Sequence, residues 1–433
     1  MLVTYRILAL IAHPFLLLWL LWRAQKGKED KTRLYERFGK ARLARPSGKL
    51  CWIHAASVGE SQSVLPLIEA LCARSDSVHV LLTTGTLSSA KLMQARLPKQ
   101  AMHQFVPIDS PLAVRRFLKH WKPDVALWVE SELWPNLFAG MDARRIPRML
   151  INARLSDRSY NRWQKFRPQF HQLMQPFKEI LCGSMDDQKR LKRLGIEQAE
   201  YAGNLKYDVP ALPYDTKAMG ELIARIGDRR CWLVSSTHPG EDEQIVEAHK
   251  QLKETHASLL TIIVPRHPRR SKEIASLVGQ KKLTAAIRSK NQTVLAETDV
   301  YIADTLGELG LFYRMVGIVC MGGSLVPHGG HNPIEPALLD CALVCGPHMH
   351  NFQEVVNAFK AAGGITQVEN LEGLIKCVGT WLSDHEKQEA MAKRAHDAVD
   401  DRSGATQEIV QRVAPILKLP VLDASSENAL EGL

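Results

Sequence analysis

The chain has 433 residues, 45% hydrophobic and 24% charged, with a formal net charge of +10. That length suits two folded domains, and the ordinary apolar content excludes wholesale disorder. The positive excess gathers between Arg23 and Lys49, and no further basic stripe interleaved with aromatics is apparent, so no nucleic-acid partner is expected.

The first element is the apolar run 7–22, Ile-Leu-Ala-Leu-Ile-Ala-His-Pro-Phe-Leu-Leu-Leu-Trp-Leu-Leu-Trp. It is short beside the roughly 20 residues of a bilayer span, and His13-Pro14 interrupts it. No small-residue cleavage site follows Trp22, and a basic segment does. This predicts retention as a membrane anchor over residues 1–23, on the cytoplasmic face and against anionic lipids. A spanning helix and an interfacial one are both compatible with the run.

Short apolar strands then alternate with helical stretches. Strands are expected at 50–54, 78–83, 124–129, 148–152 and 179–182, with helices near 61–74 and 87–96. A Pro- and Tyr-rich linker at 201–213 precedes a second series at 231–235, 259–264, 300–302, 318–321 and 342–345, with a helix near 241–255. The alternation predicts an α/β protein with two doubly wound, Rossmann-like parallel sheets facing a ligand cleft. The expected domains are 24–209 and 210–420, with a mobile polar tail at 421–433. Eight cysteines without a Cys-x-x-Cys pair read as buried thiols of a reduced compartment.

The stretch 329–337, Gly-Gly-His-Asn-Pro-Ile-Glu-Pro-Ala, carries the densest functional signal. Gly329 and Gly330 after an apolar strand allow close approach of a ligand to the backbone. Asn332 as a cap and Pro333 at the first helical position predict a helix N-terminus, hence an anion site, with Glu335 placed to accept from sugar hydroxyls.

Other strand ends add candidates. Ser57-Val58-Gly59-Glu60 sits at a strand-to-helix turn, where Glu60 reads equally as a general base and as a carboxylate complementing the helix dipole. Glu130 and Glu132, at i and i+2 on an extended segment, are expected to point the same way. Asn152, Arg154 and Arg158 follow another strand, arginine being suited to bidentate anion contacts. Lys206 stands at the expected domain junction, Arg266 after Pro265 is a natural phosphate partner, and Gly307 in 304–310 permits close approach. The histidines at 238, 267, 328, 331, 348 and 350 lack metal-ligand spacing, and no Asp-x-Asp pair ends a suitable strand, so neither metal nor cofactor is expected.

Together these segments resemble the lipopolysaccharide Kdo transferases (3-deoxy-D-manno-oct-2-ulosonic acid transferases, glycosyltransferase family 30). The likeness runs through Arg-Leu-Tyr-Glu-Arg-Phe-Gly at 33–39, His-Ala-Ala-Ser-Val-Gly-Glu at 54–60, Glu-Ser-Glu-Leu-Trp-Pro-Asn at 130–136 and Asn-Ala-Arg-Leu-Ser at 152–156. It continues in Gly-Asn-Leu-Lys-Tyr-Asp at 203–208, Pro-Arg-His-Pro at 265–268, Gly-Glu-Leu-Gly at 307–310 and the stretch 329–337. The resemblance implies a glycosyltransferase-B fold at the bacterial inner membrane. CMP-Kdo would be the donor and a phosphorylated lipid A precursor (lipid IVA) the acceptor, with inversion at the anomeric carbon. It implies Glu60 as catalytic base, with Glu130, Glu132 and Lys206 holding the reacting centre. CMP would rest on Pro265 and Arg266, on Leu306, Gly307 and Glu308, and on Gly330, His331, Asn332, Pro333, Ile334 and Glu335. Ser57, Gly59, Asn152, Arg154 and Arg158 are weaker candidates for acceptor or donor anions. A sugar-nucleotide epimerase of similar two-domain build is the alternative.

Overall fold

A computed structural model describes residues 2–419; the tail expected at 421–433 lies outside the described residues. The chain divides into two units, the first built from residues up to Asp208 together with those from Arg402 onward, the second from Val209–Asp401.

The first unit carries seven parallel strands: β1 (Lys49–His54), β2 (Val78–Thr84), β3 (Ala101–Phe105), β4 (Val125–Val129), β5 (Arg148–Ala153), β6 (Glu179–Cys182) and β7 (Ala199–Tyr201). Their spatial order is β3-β2-β1-β4-β5-β6-β7. Strand residues alternate between faces. Leu50 and Trp52 therefore join one apolar cluster with Phe117, Trp128 and Phe138. Cys51 and Ile53 join another with Leu67, Val80 and Val129. Both faces are covered by helices, which is why these strands read as unbroken apolar runs.

The second unit repeats the plan with β8 (Cys231–Thr237), β9 (Leu260–Pro265), β10 (Ala285–Ile287), β11 (Val300–Ile302), β12 (Ile318–Met321), β13 (Ala342–Cys345) and β14 (Ile365–Gln367), ordered β10-β11-β9-β8-β12-β13-β14. In each sheet the winding reverses beside the first strand, at β1/β4 and at β8/β12. The carboxyl ends there are where ligands of this architecture bind.

Three expectations change. β3, β7, β10 and β14 are short sheet strands that the apolar runs do not announce, and Tyr201 ends β7 instead of opening the linker. Helix Ala405–Leu417, placed by sequence in the second domain (210–420), belongs to the first. Its Ile409, Val410, Val413 and Leu417 are buried in the same cluster as Ile53 and Leu67. The apolar N-terminal run is one helix, Leu2–Gln25, of 24 residues, uninterrupted at Pro14. A proline there removes one intrahelical bond without breaking the path. The helix lies along the first unit: Tyr5 Oη donates to Asp109 Oδ2 at 3.0 Å, His13 Nδ1 is 2.8 Å from Ser110 Oγ, and Leu20 and Ala24 are buried. Its other side leaves Leu8, Ile11, Phe15, Leu18 and Trp22 exposed.

Candidate functional site

In the first unit the site grows from the turn after β1. Ser57 is extended and caps helix Val58–Ser63, its Oγ accepting from Glu60 N at 3.3 Å. Glu60 returns the favour, Oε2 accepting from Ala56 N at 2.8 Å. This reciprocal capping realises the dipole-complementing role of Glu60 and also fixes its rotamer beneath the strand ends. Burial raises the Glu60 pKa above the ordinary carboxylate range; the Ser57 contact opposes that, and the negative charge of Glu130 adds to it. Ser57 thus acts by shaping the turn, and Gly59 is exposed within it.

Glu130 and Asn152 end β4 and β5 with φ of 61° and 49°, left-handed values unusual outside glycine. Such backbone costs about 1–3 kcal/mol per residue and gathers at functional sites. The turn at Glu130 overturns the expected extended pair: Glu130 and Glu132 point to different partners. Glu130 Oε1 is 3.2 Å from Lys206 Nζ. Glu132 Oε2 instead accepts from Trp134 Nε1 at 2.8 Å and lies 3.9 Å from His54 Nε2, and these neighbours hold its carboxyl below the usual range. Lys206 is set in place by its own loop, Asn152 Oδ1 accepting from Leu205 N at 3.3 Å and Asn204 Oδ1 from Lys206 N at 3.0 Å. Glu60, Glu130 and Lys206 therefore form one charged cluster at the β1/β4 switch.

Arg154 lines a cavity of about 240 Å³ whose wall also includes Glu130, Arg162, Trp163 and Phe170. Arg158 is exposed on helix Asp157–Gln164, which buries none of its residues. Residues 158–167, Arg-Ser-Tyr-Asn-Arg-Trp-Gln-Lys-Phe-Arg, form a second basic segment with interleaved aromatics, contrary to the expectation of none beyond residue 49.

In the second unit, the turns after β8, β9 and β12 converge. Glu241, fully buried, is the residue the sequence does not single out. Its carboxylate accepts from the N–H groups of His238, Gly323, Ser324 and Leu325 at 2.7–3.1 Å, tying the β8 and β12 turns together. His238 Nε2 lies 2.9 Å from His331 Nε2, and the His328 ring lies against His238, tilted by 35°, with centroids 3.5 Å apart. Burial, together with neighbouring histidines and Arg266, pushes both His238 and His331 down to about 4. Arg266 is exposed after Pro265, at the end of β9, and its N–H donates to Thr237 O at 3.1 Å.

The 329–337 stretch departs from expectation twice. The anticipated helix is a single turn, Ile334–Ala337, and Asn332 Oδ1 already accepts from Ile334 N at 3.1 Å. A large helix dipole is therefore missing, and only local N–H groups remain for an anion. The glycines, with φ of 109° and 75°, serve packing: a side chain at Gly329 would meet Asn351 and His350, and one at Gly330 would meet Met349. Pro333 and Ile334 are buried and Glu335 is half-buried.

Leu306 is 78% exposed and Gly307 has φ of 84° with open space around it. Glu308 is held by Arg288, Nε to Oε2 at 2.6 Å, and also by Thr305, contacts that keep its carboxyl below the ordinary range. Arg288, 20 residues upstream, gives no sign in sequence of this pairing. Among the described residues no group of three or more His, Cys, Asp or Glu side chains forms a metal cluster.

The fold is shared with the UDP-GlcNAc 2-epimerase of Neisseria meningitidis, which superposes with a TM-score of 0.54 at 14% identity, covering 85% of this chain and 100% of its own. A family model for 3-deoxy-D-manno-octulosonic-acid transferase (kdotransferase) matches residues 32–209. The probable mitochondrial 3-deoxy-D-manno-octulosonic acid transferase of Arabidopsis thaliana is 34% identical across 99% of this chain and 97% of its own. The 3-deoxy-D-manno-octulosonic acid transferase of Haemophilus influenzae is 32% identical across 96% and 98%. The chain belongs to the 3-deoxy-D-manno-octulosonic acid (Kdo) transferase family.

Proposed function

We propose that this chain moves Kdo from CMP-Kdo to a hydroxyl of a phosphorylated lipid A precursor, inverting the anomeric carbon, with Glu60 as general base. The observation that carries this reading is the placing of Glu60: its carboxylate is fixed at the β1/β4 switch, and burial and Glu130 raise its proton affinity. A base tuned upward in this way takes a hydroxyl proton more readily. The acceptor oxygen bonds to the anomeric carbon as the bond to the CMP phosphate breaks; the proton goes to Glu60 and the electron pair leaves with CMP.

Arg266 and the backbone N–H groups of His331 and Asn332 supply positive charge for the departing phosphate, with Glu335, and Glu308 in exchange for its Thr305 contact, accepting from hydroxyls of the nucleoside. A monophosphate leaving group needs less neutralisation than a diphosphate, and no metal or further cofactor enters this scheme. The epimerase alternative shares only the fold. Because the Leu2–Gln25 helix packs along the first unit, we place it in the interface of the bacterial inner membrane, on the cytoplasmic face, with its exposed apolar side among anionic lipids.

The test is mass spectrometry of a tetraacylated lipid A precursor incubated with the purified protein and CMP-Kdo, with CMP release followed in parallel. A gain of one or more Kdo units is expected. An unchanged lipid with a folded protein would overturn the assignment.

A further inference from the structure

The 240 Å³ cavity of the first unit is unlike the polar surroundings of Glu60. Its floor is apolar and buried, formed by Leu155, Phe170, Leu173 and Met174. The polar and charged side chains of its lining, Glu130, Ser131, Arg154, Ser159 and Arg162, are none of them buried. The buried apolar floor favours an apolar guest over water, which finds no hydrogen-bond partner there. The volume falls below the roughly 300–1,000 Å³ of sites that enclose a whole small ligand, so it suits the end of a chain and not a headgroup.

One wall is helix Asp157–Gln164, which buries none of its own residues. It is held over the cavity by Trp163, whose ring sits 5.0 Å from that of Phe170, and by an Asp157–Arg190 pair at 2.8 Å. Its exposed side continues into Lys165, Phe166 and Arg167, the phenylalanine 48% exposed. Exposed basic residues with an exposed aromatic make a surface matched to anionic lipid.

We infer that this cavity receives the end of one fatty acyl chain of the anionic lipid acceptor, with Arg154 and Arg162 at its mouth facing the acceptor's negative headgroup. The inference rests on the proposed function for the acceptor's chemistry. Glu130 belongs both to the cavity wall and to the charged cluster around Glu60. A chain seated there therefore brings the headgroup to the base, and the cavity acts as a ruler for the acceptor.

Trp163 gives a readout independent of turnover. The full chain is titrated with phosphatidylcholine vesicles doped with a phosphatidic acid brominated along its acyl chains. The wild type minus Trp163→Phe difference isolates the Trp163 signal from that of the other tryptophans. Saturable quenching of that signal, lost when Met174→Phe fills the floor or Ser159→Phe blocks the mouth, is expected. Trp163 emission indifferent to the brominated chains would overturn the inference.

The second arm compares acylated and fully deacylated acceptors. Each methylene kept out of an apolar site costs about fourfold in affinity. Both blocking variants should therefore raise KM for the acylated acceptor by about tenfold or more and leave KM for the deacylated acceptor and for CMP-Kdo in place. An equal rise for both acceptors would overturn the slot. Ser159→Phe, at a half-exposed position, keeps the test valid should Met174→Phe misfold. Quenching without any Kdo transfer would sink the proposed reaction while leaving the acyl slot standing.

Discussion

The Lys206 ammonium lies 3.2 Å from the Glu130 carboxylate, and the same carboxylate raises the proton affinity of Glu60. Glu130 thus couples a cation on the 203–206 loop to the group proposed as base. Its removal has a definite sign. Without the negative charge, and with Lys206 unneutralised, the Glu60 pKa falls. Glu130→Gln should therefore move the acid limb of the kcat/KM profile to lower pH, whatever happens to the maximum rate. A limb that stays in place would separate Glu130 from the base.

Glu60→Gln keeps an oxygen that accepts from Ala56 N–H, so the cap after β1 survives. What it loses is the ability to take a proton. General-base catalysis contributes about 10²- to 10⁴-fold, and a fall in kcat of that order, with the melting temperature unchanged, is the expected outcome in a CMP-release assay.

Gly330→Ala tests the packing account of the glycine pair. The added carbon would sit on the Met349 sulfur, and φ of 75° strains any side chain. A loss of about 1–3 kcal/mol in urea unfolding is expected, with donor affinity falling through the displaced 330–335 turn. A stable variant with full donor affinity would show that the 348–351 loop yields easily.

Asp242 and Arg270 form a buried ion pair behind the donor-side turns, Thr237 Oγ1 also donating to Asp242 at 2.8 Å. Asp242→Asn leaves the buried guanidinium with only the exposed Glu273 carboxylate at 3.6 Å, and breaking the buried pair costs about 3 kcal/mol. The urea midpoint of the second unit's transition should drop accordingly.

Much of the architecture is legible in the sequence because β1, β2, β4 and β5 are buried on both faces and so appear as apolar runs. β3, Ala-Met-His-Gln-Phe, is half-exposed at its start and carries no such mark. The candidate residues after β1, β4 and β9 are legible because function collects at strand ends. Their partnerships are not. Glu241 looks like one more acid in a polar turn, and only the fold brings four N–H groups to it from two loops. The glycine pair is conspicuous in sequence, but Met349 and Asn351, the neighbours that require it, come from a separate loop. The basic helix at 157–164 has no buried stripe to set its period, so the sequence places only the arginines.

The return of the chain to the first unit also orders events in synthesis. Asp208 accepts from Gly404 N at 2.7 Å and from Thr406 N, so the second unit leaves and re-enters at one tied point and is topologically an insertion. A ribosome must complete that inserted unit before Ile409, Val410 and Val413 emerge to cover the first sheet. Until then the first unit waits with part of one apolar face uncovered, the rest being covered by Leu67, Ile68 and Leu71 of an earlier helix. The portion of the protein begun earliest is therefore finished last, and premature termination between residues 202 and 404 would leave the seven strands of the first sheet complete but without the helix that closes their cover, a state open to aggregation.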